Sequence, residues 1–157
     1  MGKIETVCEI LRDLGLEPEV VDGEIRVRYE MKYISIHIKD DTEDDNDEDK
    51  NSRDQYVNVS YAAYYGVKDD EVADVLVVCN KANRELRQLK TFVSEDLSYV
   101  SSSFEFWYLD NDDLRNSIKY ALFMISHVRS WFFRELRRVQ GETQPTSESA
   151  GTTEEDG

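Results

Sequence analysis

The feature that most constrains this chain is a helical pattern near its C-terminal end, starting at Asp112 or Asp113 and running to about Val139. At about 100° per residue, Leu114, Ile118, Ala121, Leu122, Ile125, Val128, Phe132 and Leu136 fall on one stripe. One apolar stripe satisfies an ordinary surface helix. Here Tyr120, Phe123, Met124, His127 and Trp131 gather on a different side, spaced like a second seam. A helix apolar on two sides needs two burial partners. One is a sheet; the other is either part of the same chain or a second subunit or client. Arg134, Arg137 and Arg138 follow in the last turns, where cations complement the helix dipole, so they do not by themselves indicate a membrane-binding amphipath.

The sheet is written upstream. Asp22-Gly23 is a two-residue hairpin signal, and Ile25, Val27 and Tyr29 alternate after it with Arg26 and Arg28. Ile34, Ile36 and Ile38 alternate with Ser35, His37 and Lys39; Val57, Val59, Tyr61 and Ala63 alternate with Asn58, Ser60 and Ala62. Such alternation predicts half-buried antiparallel strands. KTFV and YVSSSFEFWYL, joined by the polar turn SEDLS, read as two more. Two shorter helices complete the set. Ile4, Val7, Cys8, Leu11 and Leu14 precede a stop at Gly15, and Val72, Val75, Leu76, Cys79, Ala82, Asn83 and Leu86 share one face of a helix that opens at Asp69. The predicted class is α+β, in the order helix, three or four strands, helix, two strands, helix.

At 157 residues the chain suits a single domain, expected over residues 1–140, with an acidic loop at 40–54 and a disordered acidic tail at 141–157. Its net charge of -15 is concentrated in two places. Residues 40–49 hold eight acids and no base, and residues 141–157 hold five acids and no base, which leaves the other 130 residues at -2. The body is therefore nearly neutral, and arguments from global charge about partners do not apply to it. The acidic run is not an EF-hand: a frame from Asp45 through Asp47 and Asp49 puts Lys50 at the glycine position and Tyr56 at that of the bidentate Glu. It reads as a long, self-repelling, solvated connection between strands.

Few patterns carry chemistry. Cys8 and Cys79 sit at apolar helix positions and read as core residues; His37 lies on a polar strand face and His127 on the second side of the last helix. Two histidines do not make a histidine-rich metal site, and GxxxxGK[ST], GxGxxG and GxSxG do not occur. Ser101 to Ser103 read as a polar bend or an outer strand face, and Asn83 as a buried hydrogen-bonding residue. No cofactor or metal is expected, and no catalysis. No run approaches the length of a signal peptide core or a membrane span, which leads us to expect a cytoplasmic protein, with neither membrane nor nucleic acid as partner.

The order of elements, with VADVLVVCNKANRELRQLKTFV passing from a helix into a short strand and then into YVSSSFEFWYL and the final helix, resembles the type III secretion chaperone-like fold. Within it, the chain resembles the YbjN-like family of proposed bacterial sensory transduction regulators, over Ile4 to about Leu136. The resemblance brings no catalytic residues. It implies a small cytoplasmic binding or regulatory module, often dimeric among secretion-chaperone relatives that hold an extended client segment. The expected interface with a client or second subunit comprises Trp107, Tyr120, Phe123, Met124, His127 and Trp131, with a homodimer the favoured assembly. The alternative is a small enzyme or small-molecule binder using the sheet surface with Tyr64, His37 or nearby carboxylates.

Overall fold

The computed structural model describes residues 2–38 and 55–143, with side chains to residue 141. The acidic run from Asp40 and the segment after Thr143 lie outside the described residues. The chain order is α1 (Lys3–Asp13), β1 (Glu19–Val21), β2 (Glu24–Tyr29), β3 (Lys32–Ile38), β4 (Tyr56–Gly66), a single 3-10 turn (Asp69–Glu71), α2 (Val72–Glu85), β5 (Leu89–Val93), β6 (Tyr99–Trp107) and α3 (Asn111–Thr143). The six strands form one antiparallel sheet in the order β1-β2-β3-β4-β6-β5. The expected α+β class and element order are therefore the observed ones.

Alternation decides which face of the sheet is covered. Ile25, Val27, Ile34, Ile36, Ile38, Val57, Val59, Val100, Phe104 and Phe106 are buried, while Arg26, Tyr33, His37, Glu105 and Trp107 point to the other face and are exposed. The core lies between the first face and the helices. α3 supplies its whole predicted stripe, from Leu114 to Leu136, to that core. α2 packs on α3 and on β5. α1 meets α3 only near its first turns, where Arg115 Nη2 donates to Asp13 Oδ2 at 2.7 Å. Since α3 has 33 residues and is about 50 Å long, most of it extends beyond α1.

Three details depart from the sequence reading. In β4 the register slips between Tyr61 and Tyr65: four residues there span two on β6. This bulge, with Ala63 at φ +50°, turns Ala63 outward and Tyr64 into the core, reversing the expected alternation. In α2 the buried residues are Val75, Val78, Cys79 and Ala82, with Leu76 and Asn83 exposed, because the helix must serve both β5 and α3. And α3 continues through Gly141 to Thr143, since the Gln140 side chain is anchored on Glu71 (Nε2 to Oε2, 2.9 Å) and holds the last turn.

The β2–β3 turn holds strain. Its two central residues, Glu30 and Met31, have φ +46° and +67°, the left-handed geometry that hairpins of this length require and that Asn-Gly supplies at lower cost. Exchanging Glu30-Met31 for Asn-Gly is expected to stabilise the protein by about 1–2 kcal/mol. Urea unfolding is the check, and an unchanged midpoint would show that the turn stores no strain.

Candidate interaction surfaces

The structure separates the six predicted interface residues. Trp107 is 58% exposed on the open sheet face, its ring 5.0 Å from that of Tyr56. The other five lie on α3, in the helical layer on the opposite side. There Phe123 is 54% exposed and its ring meets the His127 imidazole edge-on at 4.7 Å; Tyr120 is 43% exposed and packs edge-on over Phe104 at 5.6 Å. Met124 and Trp131 are partly buried and pack against the monomer's own core. The second apolar side of α3 is thus divided. Met124 and Trp131 are partly covered by the monomer's own core, and Tyr120, Phe123 and His127 are the exposed members.

A further surface was not singled out from the sequence. Ser126, Arg129, Ser130, Phe133, Arg134, Arg137 and Arg138 recur at helical spacing, and with Lys32 at the start of β3 they line an open groove of about 870 Å³. Among the described residues, five cations and no carboxylate line it. Arg129 Nε donates to the Tyr64 carbonyl at 3.4 Å and its guanidinium lies 5.0 Å from the Phe133 ring, while Arg138 reaches Glu135 at 3.3 Å. Arg134 and Arg137 make no hydrogen bond or ion pair with any described residue. In sequence, Arg134, Arg137 and Arg138 read only as complements to the helix dipole. Their stripe spacing with Ser126 and Ser130 was the signal available, but Lys32 comes from a distant strand and could be placed only by the fold.

Two buried carboxylates fix the groove's helix in place. Glu71 accepts from the Tyr65 hydroxyl (2.6 Å), the Lys68 amide (2.9 Å) and Gln140 (2.9 Å). Burial works to raise its pKa, but these donors overcome it, and the carboxyl is held below the usual range. Glu135 is held low chiefly by the Lys81 ammonium at 2.6 Å, against burial and with help from Arg138. Together they tie the end of α3 to α2 and the turn before it.

The other polar groups are structural. Ser102 faces the core, contrary to the outer placement expected, and its hydroxyl links those of Tyr64 (2.8 Å) and Thr91 (2.9 Å). Burial raises the Tyr64 phenol above its ordinary value and pushes the Cys79 thiol up to about 11, which leaves the thiol protonated near neutrality. Asn83 is exposed rather than buried, yet its amide bonds both the N–H (2.8 Å) and C=O (3.0 Å) of Thr91, closing part of the β5 edge as another strand would. Tyr64 is buried in the core, while His37 is exposed on the opposite face of the sheet. Among the described residues, no group of three or more His, Cys, Asp and Glu could hold a metal ion, and no helix is long and apolar enough to cross a membrane.

An antiparallel six-stranded sheet with three helices on one face, and a second face that the described residues leave open, defines the class: this chain has a YbjN-like α+β fold. Its structure superposes on YbjN from E. coli, a candidate transcription regulator, with a TM-score of 0.59 and 11% identity, covering 90% of this chain and 96% of that one. It is also similar to an uncharacterized protein from Methanothermobacter thermautotrophicus, with a TM-score of 0.47, 15% identity and coverage of 89% and 98%. No family model and no curated protein sequence matches the chain.

Proposed function

We propose that this protein is a noncatalytic, cytoplasmic protein-binding module, regulatory or chaperone-like, that works as a homodimer. The observation that carries the reading is the exposure of Phe123 and Tyr120 beside His127 on a helix whose core stripe is already fully buried. Burying one such aromatic side chain contributes roughly 1.5–3 kcal/mol relative to exposure. A twofold pairing of α3 helices brings one patch onto its own copy, so each contact is counted twice. The nearly neutral body adds little repulsion. The fold shared with E. coli YbjN supports a regulatory or binding role.

Phe123→Glu is expected to convert a dimer into a monomer in light scattering, with an unchanged far-ultraviolet circular dichroism spectrum. Met124 and Trp131 are unsuitable targets because they pack on the core, so charging them would unfold the chain. A wild-type monomer at high micromolar concentration would refute the dimer. The second reading, a small molecule held on the open sheet face, draws on Asn58. Its Oδ1 is buried without a hydrogen-bond donor, in register between His37 and Glu105.

A further inference from the structure

The groove beside the C-terminal half of α3 concentrates like charge that the described residues compensate only in part: Arg138 pairs with Glu135 and Lys32 with Glu30 (3.6 Å), while Arg134 and Arg137 have no ion-pair partner among them. Arg129, Arg134, Arg137 and Arg138 occupy one face of that half, with Lys32 opposite. Like charges three and four residues apart destabilise a helix, so a carboxylate-bearing ligand on this face relieves repulsion as well as forming pairs. Phe133 contributes an apolar element beneath the Arg129 guanidinium. Among ligands, these features suit an extended acidic peptide.

We infer that this groove is an acidic-peptide site and that its occupant is the chain's own segment Glu154–Asp156, held in cis. Charge and reach both select it. The segment carries Glu154, Glu155 and Asp156 in succession, and no base occurs between Gly141 and Gly157. Glu154 lies eleven residues beyond Thr143, the last residue of α3, through a linker of small and polar residues. Eleven residues can span at most about 36–40 Å. Arg134 lies nine residues back along the helix from Thr143, which corresponds to about 13.5 Å. The segment is therefore within covalent reach of the groove, and its binding in cis is an intramolecular event. Exposed ion pairs are individually weak and are screened within roughly 3 Å at 1 M salt, so the contact opens readily. Another protein's acidic segment would then enter by displacing the tail.

The test uses the full chain with a nitroxide at Thr153→Cys. Cys8 and Cys79 are 1% and 5% exposed, which directs the label to the new thiol. At 50 mM salt the amide signals of residues 126–138 should lose at least half their intensity relative to the reduced label, and recover at 1 M salt. Arg134→Glu with Arg137→Glu should abolish the effect. So should Glu154→Gln, Glu155→Gln and Asp156→Asn together, a set that leaves the folded body untouched. Uniform or absent broadening at low salt, or broadening that persists when the three acids are neutralised, would overturn the assignment. Broadening seen only when spin-labelled and isotope-labelled chains are mixed would place the segment in a second copy and overturn the cis contact. Phe123 does not line the groove, so a monomeric wild type would refute the dimer and leave this test intact.

Discussion

Truncating Phe132 to alanine should cost about 3–5 kcal/mol of folding stability and lower the melting temperature by roughly 10 °C or more. Phe132 is fully buried, and its ring meets Tyr64 at 5.9 Å and Tyr65 at 5.3 Å. The expected cost combines lost transfer free energy with the cavity left behind, and neighbours anchored elsewhere collapse poorly into such a cavity. Tyr64 is tied to Ser102 and Tyr65 to Glu71, so both are poorly placed to fill it. Phe132→Leu, which keeps most of the volume, should cost less than half as much. Chemical denaturation of both variants is the measurement. A loss below about 1 kcal/mol for alanine would mean that the β4 bulge repacks freely.

Glu71→Ala should destabilise by about 2–4 kcal/mol, because it removes a buried acceptor shared by three donors, the Tyr65 hydroxyl, the Lys68 amide and the Gln140 side chain. The pH dependence has a definite sign. The carboxyls of Glu71 and Glu135 are both held below the ordinary range in the folded protein. Their stabilising contribution is therefore complete above the unfolded glutamate value of about 4.3 and is lost as pH falls through the lower folded values. Urea midpoints should be level from pH 6 to 8 and fall in acid. Glu71→Gln, which cannot titrate, should have a lower plateau and a shallower acid limb. An acid limb as steep as wild type would place the titrating group elsewhere. The same variant is expected to loosen the end of α3, since Gln140 is its tie to the turn before α2.

The readings that held were those set by local periodicity. The α3 stripe was legible because eight apolar residues at helical spacing specify a buried face whatever lies opposite, and every one of them is buried. Strand alternation held wherever the ladder was regular, as at Ile25, Val27, Ile34, Ile36 and Ile38. It failed at Ala63 and Tyr64, because a bulge is a property of two strands in register and β4 alone does not encode its partner. Leu76 and Asn83 were misplaced for a similar reason. A helix wheel shows which residues are apolar, but the angle at which α2 meets both α3 and β5 selects the buried ones.

For the interaction surfaces, the sequence determined that α3 carries more apolar surface than one partner can cover, and that the acidity is concentrated in two segments, one interrupting and one following a near-neutral body. Only the tertiary structure decided where those properties act. Met124 and Trp131 pack, partly buried, against the core while Phe123 does not, because packing resolves helix positions that a wheel places side by side. Lys32 joined four arginines about a hundred residues away because the β2–β3 turn brings the start of β3 up to α3 beyond the reach of α1. Helical and strand periods are local, fixed by backbone geometry within a few residues, and so can be read along the chain. A groove depends on which elements adjoin and which are too short to fill the space, and that is settled only when the core closes.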